Sequence, residues 1–172
     1  VLADIRQGNA RGRIFAQGAA RAGAHYKVAR VPVIKRQAIS AYDPRVIEVT
    51  GISMMVTAQG ADHTSGHAPL YDCNGKTTEE LAAASVDVQT AVGAVDSLGL
   101  CVFGRTVTNV SGELIVKALN DAHGTALDPS FIQTLGREVL RMELEFNKAA
   151  GFTEADDELP AFFKDPVAPT GK

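Results

Sequence analysis

An all-α, multihelical domain is what this sequence predicts, and three observations predict it. Apolar residues recur at three- and four-residue intervals over long stretches, and capping residues open those stretches while glycines close them. Strand signals are confined to two short runs, "RVPVIK" and "CVFGRTVTNV", neither paired by an obvious hairpin turn.

In chain order, the opening "VLADIRQGNARGRIFAQGAARAGAHYKVAR" reads as two short helices broken near Gly8 and Gly23. "DPRVIEVTGISMMV" starts a helix, with Asp43 as its N-cap and Pro44 at its first position. "TTEELAAASVDVQTAVGAVDSLG" sets Thr77 and Glu80 in capping-box spacing and then runs for about five turns. The inner face of that helix is made of small residues, so a neighbour can come close. "SGELIVKALNDAHG" is a shorter helix capped by Ser111, with Leu114, Ile115, Ala118 and Leu119 inward and Gly124 at its end. In "DPSFIQTLGREVLRMELEFNKAAG", Asp128 is the N-cap and Pro129 the first helical residue. Phe131, Leu135, Val139, Met142 and Phe146 form its buried stripe, and Gly151 stops it. The tail "FTEADDELPAFFKDPVAPTGK" is acidic and then proline-rich. It is expected to pack only through Phe152, Leu159, Phe162 and Phe163 before fraying.

At 172 residues and 45% apolar content, the chain suffices for a single helical domain over residues 1–172 with a core that needs no disulfide or metal. Net charge is −3 and the Lys and Arg residues are scattered, which argues against nucleic acid or an anionic membrane as a partner. No apolar run approaches the ~20 residues that span a bilayer. Two cysteines without patterned spacing give no disulfide framework and point to a reducing, cytoplasmic compartment. The sequence opens at Val1 inside a helix-like stretch without a leader pattern, so it reads as a processed product or an excised piece of something longer.

Two segments carry candidate chemistry. In "TAQGADHTSGHAP", Gly60 and Gly66 bracket Asp62 and His63, and His67 follows four residues after His63. A loop histidine titrates near neutrality, as a proton shuttle must, although solvated loop histidines are the more ordinary reading of these residues alone. A zinc pair through His63 and His67 needs a helix that Ser65 and Gly66 disfavour, and further ligands besides. In "DSLGLC", the two oxygens of Asp96 suit the paired N–H donors of a pterin or guanine edge. The Cys101 thiolate suits an iron–sulfur cluster, but a cubane takes four such ligands and the chain holds only Cys73 and Cys101. On their own, these residues read first as a helix end followed by a small buried cysteine.

The order of the motifs adds a resemblance. "DSLGLC" resembles the Asp-x-x-Gly-Leu-Cys motif of the tungsten-containing aldehyde ferredoxin oxidoreductases. "AYDPR", "GADHTSG" and "FNKAAGFTEADDELPAFF" are similar to other segments of that family and stand in the family's order. The resemblance implies the C-terminal helical domain of a larger enzyme that oxidises a small aldehyde to a carboxylic acid and passes the electrons to ferredoxin. It implies a tungsten (or molybdenum) bis-pterin held by Asp96, with backbone contacts from Leu100 and Val102. It also implies a 4Fe-4S cluster with Cys101 as one ligand, and His63 near the metal as an acid/base group. The partners it implies are the remainder of the enzyme chain, ferredoxin and the aldehyde, with the cofactor-facing side open to homodimer formation. Taken alone, the chain is expected to be inactive and loosely held between Ala61 and Asn74. An alternative of another class is a non-catalytic helical interaction module, or a subunit of a split enzyme, that keeps only the fold.

Overall fold

Two long helices lie against each other with almost nothing between them. The structure, a computed structural model, describes residues 1–104 and 112–166. Seven α-helices are seen among these residues: α1 (Leu2–Gln7), α2 (Ala10–Phe15), α3 (Gly18–His25), α4 (Glu48–Val56), α5 (Thr78–Ser97), α6 (Gly112–His123) and α7 (Phe131–Ala149). A hairpin of β1 (Val33–Ile34) and β2 (Gln37–Ala38) separates α3 from α4. The all-α expectation holds.

The α5–α7 pair is the main packing contact, and α4 lies on another side of α5. A methyl group added at Gly136 of α7 would stand 1.9 Å from the Thr90 carbonyl oxygen of α5, so the two backbones touch where a side chain would hold them apart. Gly93 of α5 faces the same spot, next to Gly136 and Val139. The small-residue face read in α5 therefore serves close approach. At its start, Thr77 and Glu80 form the capping box: the Thr77 hydroxyl accepts from the Glu80 N–H, and the Glu80 carboxylate accepts from the Thr77 N–H.

The stripe expected on α7 is rotated. Leu135, Gly136, Val139, Leu140 and Asn147 turn inward, whereas Met142 is 53% and Phe146 73% exposed. The reason is the glycine contact, which fixes which face of α7 meets α5 regardless of where the largest apolar side chains fall. Asp128 does not cap α7 directly. Its carboxylate accepts from the Ser130 N–H in a lead-in turn, and the helix begins at Phe131. In α6 the buried residue is Val116 and Leu114 is exposed. The Asn120 side chain closes the loop after α6 by bonding Leu127 and Thr125. Asp43 likewise forms a turn instead of a cap: its carboxylate holds the Arg45 N–H and guanidinium, and α4 starts at Glu48.

The first thirty residues form three helices, not two. Gly8 breaks them as expected, with φ of 62°, but Gly23 lies within α3, where an added methyl would fall 2.4 Å from a Val31 methyl. The hairpin is a further correction. Lys35 and Arg36 turn it with φ of 46° and 68°, a geometry that sequences usually meet with Asn-Gly. What holds them there is tertiary: the Lys35 ammonium, its side chain 3% exposed, donates to the Met55 carbonyl at 2.6 Å and pairs with Asp157 of the tail. Ile34, Met54 and Ala61 form the core beside it, with Ile39, Tyr42, Met55 and Leu159 packed around them.

The tail is tied by more than its apolar residues. Besides Leu159 in the core and the Asp157 ion pair, Phe162 and Phe163 stack on each other, with the guanidinium of Arg30 over the first ring and that of Arg45 over the second. Of the expected strand "CVFGRTVTNV", Cys101 to Gly104 form a turn with a 3₁₀ segment at Val102–Gly104, and the rest lies outside the described residues. The proposed cap Ser111 and the last six residues of the tail also lie outside them.

Substituting Gly136→Ala tests the helix contact. The methyl group forces the two backbones apart, and stability should fall by about 2 kcal/mol even after the helix-propensity gain of Ala over Gly. A urea midpoint equal to or above that of the parent chain would show that α5 and α7 do not meet as described.

Candidate functional site

The "DSLGLC" stretch is a helix end built by hydrogen bonds. Gly99 sits at φ of 65° just past the cap residue Leu98. The Leu100 N–H donates to the Val95 carbonyl at 3.0 Å, and the Gly99 N–H donates to the Asp96 carbonyl at 3.0 Å. This pair of bonds is the Schellman closure of a helix, and it explains the glycine and the leucine of the motif without any ligand. Leu100 turns back over the helix and joins Val95, Leu98 and Ala91 in a small apolar cleft with Ile115 and Ile132. The Leu100 N–H is thus committed within the chain. Past this reversal, Cys101 is a free, exposed thiol whose carbonyl accepts from the Gly104 N–H at 2.8 Å. The other cysteine, Cys73, is buried and points its sulfur at the Tyr71 carbonyl.

The loop that carries His63 is laid across α4 and α5. Ala61, at φ of 51°, donates its N–H to the Met54 carbonyl at 2.8 Å. Asp62 closes an Asx turn by accepting from the N–H and hydroxyl of Thr64. Gly66 lies on the Ser53 side chain so closely that a methyl would come 2.0 Å from its hydroxyl oxygen. The Ala68 N–H donates to the Thr50 hydroxyl at 2.9 Å. Beneath, a buried seam joins the two helices: the Ser53 and Ser85 hydroxyls are 2.8 Å apart, and the Gln89 amide donates to Ser85 at 3.0 Å. The looseness expected between Ala61 and Asn74 is therefore corrected, because backbone bonds to α4 fasten its first half.

His63 and His67 do come together, along with Tyr42. The Tyr42 ring lies 5.5 Å from that of His63 and 4.6 Å from that of His67, and the two imidazoles are 5.9 Å apart. Tyr42 itself packs on the core. It stands in the quoted "AYDPR" segment, but nothing in the sequence placed it beside the histidines, since the contact spans the whole of α4. His67 also lines a cleft of about 470 Å³ that runs along α5 to Val95, one residue before Asp96.

The electrostatics tie this loop to the helix end. Partial burial pushes the Asp96 carboxyl above its ordinary value, and the charge of Asp62 adds to the rise. Burial also raises Glu143 of α7, with Asp96 and Asp62 as further causes. Three carboxylates from three elements thus face one region in which none relieves another. Such a place favours a ligand edge rich in N–H donors. Among the described residues, no group of three or more His, Cys, Asp or Glu side chains converges to hold a metal ion.

Over residues 1–172 the chain matches the family described as "Aldehyde ferredoxin oxidoreductase, domains 2 & 3". This chain belongs to the aldehyde ferredoxin oxidoreductase family. No curated protein and no solved structure matches it. Membership supplies the oxidoreductase context, and the helical architecture agrees with it. No helix among the described residues is long and apolar enough to cross a membrane.

The raised carboxyl of Asp96 has a consequence for stability. The folded chain keeps a proton on Asp96 at pH values where the unfolded chain has released it, so this contribution is full below the ordinary Asp range near pH 4 and is lost as pH rises through the folded value. Asp96→Asn should therefore raise the Tm at pH 7 and leave it nearly unchanged at pH 3.5. Equal Tm differences at the two pH values would refute the assignment.

Proposed function

We propose that this chain is the part of a tungstopterin, iron–sulfur oxidoreductase that grips the pterin through Asp96 and gives one cysteine thiolate to a 4Fe-4S cluster. The observation that carries this reading is the single helix end that displays both groups, an exposed free thiol at Cys101 beyond a glycine reversal and a carboxyl at Asp96 before it, in a chain of this family. The residues suit such a group in part. Asp96 offers two acceptor oxygens in an electronegative setting that N–H donors would relieve, while the other three cluster ligands must come from the remainder of the enzyme.

When bound, the metallopterin and cluster would supply the redox chemistry, taking two electrons as an aldehyde and water become a carboxylic acid and handing them on to ferredoxin. The chain's own residues bind and move protons. The Asp96 carboxylate accepts from the pterin's amino edge, the Leu100 backbone contact falls to its carbonyl because its N–H is already bonded to Val95, and the Val102 backbone follows directly after the cluster thiolate. An imidazole nitrogen of His63 takes the proton released as water adds to the aldehyde carbonyl, with Tyr42 packed beside the ring to hold its orientation. The remainder of the enzyme is the natural partner for the side chains exposed around this site. Leu70, on the rim of the His67 cleft, is 96% exposed, and Phe103, two residues past Cys101, is 90% exposed.

The test uses the full-length enzyme. Cys101→Ser should abolish the reducible cluster's electron paramagnetic resonance signal, and His63→Gln should leave that signal intact while lowering kcat by about 100-fold. Unchanged iron content in the serine variant would sink the cluster role. Undiminished turnover in the glutamine variant would remove His63 from proton transfer.

A further inference from the structure

The His63 loop rests on the β1–β2 hairpin. Gly60, three residues before His63 and at φ of 75°, lies so close to the turn that an added methyl would fall 2.5 Å from Cβ of Lys35 and 2.7 Å from the Ile34 carbonyl oxygen. Ala61 follows in the core with Ile34 and Met54, and Tyr42, whose ring lies beside that of His63, packs on the same core. The aliphatic stem of Lys35 is thus part of the surface on which the loop begins. At the far end of that stem the ammonium is buried, bonded to the Met55 carbonyl in the last turn of α4 and paired with Asp157. Asp157 comes from the tail, where a capping box between Thr153 and Asp156 shapes the 3₁₀ turn Glu154–Asp157 and Leu159 packs against the core.

Backbone strain gathers at the same place. Four non-glycine residues have positive φ among the described residues, and three of them, Lys35, Arg36 and Ala61, belong to this turn and this loop. Such conformations persist only where the surroundings over-determine them, and they collect at functional sites. The fixed point here is an ion pair. A buried ammonium keeps its place only while it is paired; without Asp157 it is driven toward water and carries its stem away from Gly60. The other fastenings of the loop include two neutral hydrogen bonds, from the Ala61 N–H to the Met54 carbonyl and from the Asn147 amide to the Ala58 carbonyl. They hold Ala58 and Ala61, and the contact with Lys35 sets the turn between them.

We propose that the Lys35–Asp157 pair is a positioning clasp for His63, through which the C-terminal tail fixes the orientation of the imidazole beside Tyr42. Lys35 and Asp157 are positioning residues that act through the backbone of Gly60 and Ala61. The effect on turnover rests on His63 being the proton-transfer group, whereas the effect on its ring does not.

The test uses the full-length enzyme with isotope-labelled histidine, followed by nuclear magnetic resonance, the His63 ring signal being the one lost in His63→Gln. Asp157→Leu strands the ammonium. It should displace that signal and lower kcat by about tenfold, with KM and the cluster's electron paramagnetic resonance signal unchanged. Adding Lys35→Met removes the buried charge while keeping an unbranched stem against Gly60, and it should return both the ring signal and kcat to those of the parent. In a His63→Gln background Asp157→Leu should cost nothing further in kcat, since both changes act through one group. Asp157→Asn, which leaves the ammonium an acceptor oxygen, should displace the signal less but in the same direction, and it covers a leucine variant that does not fold. If His63→Gln keeps full turnover, the proton-transfer reading fails while the ring signal still decides the clasp. A His63 signal unmoved by either Asp157 variant, a signal that the double variant does not bring back, or a turnover loss that adds to that of His63→Gln would each overturn the proposal.

Discussion

The contact of Gly136 with the Thr90 carbonyl is the constraint on which the rest of the domain depends. A helix pair this close leaves no freedom in rotation or register, and α5 is the element that everything functional touches. Its middle carries Ser85, which bonds Ser53 of α4, and Gln89, which bonds Ser85 and lies under Gly66 of the histidine loop. Its end carries Asp96. One face of the pair holds the cleft under His67, and the other holds a second cleft, lined by Val86 and Leu144. A glycine that lowers the propensity of a long helix thus sets the relative position of two surfaces.

The candidate site shows how one motif can be structural and chemical together. Gly99 and Leu100 are explained by helix closure alone, through the left-handed glycine and the two backbone bonds that end α5. Asp96 and Cys101 are not explained by it. The acid stands raised in pKa among other carboxylates, and the thiol stands exposed and outside any disulfide. Residues that local structure requires and residues that it leaves unused alternate within six positions.

Much of this was legible in the sequence because it is local. The capping box at Thr77, the αL glycines at Gly8, Gly99 and Gly124, and the length of α5 all follow from interactions within a few residues. What could not be read is tertiary. The stripe on α7 looked centred on its largest apolar side chains, but a single glycine rotated it, and Met142 and Phe146 face outward. The Lys35–Arg36 turn breaks the usual turn chemistry and is held by an ion pair far along the chain. Tyr42 and Glu143 reach the site from segments whose own pattern says nothing of it.

Lys35 and Asp157 are 122 positions apart in the chain. As the polypeptide leaves the ribosome, the hairpin, α4 and the whole helix pair emerge before the carboxylate that neutralises this lysine exists outside the exit tunnel. The ammonium must then stay in water, with the hairpin turn open, until the tail arrives. The core around Ile34 and Met54 therefore lacks the partner of its neighbouring lysine until Asp157 has been made, and the two ends of the domain can join only then.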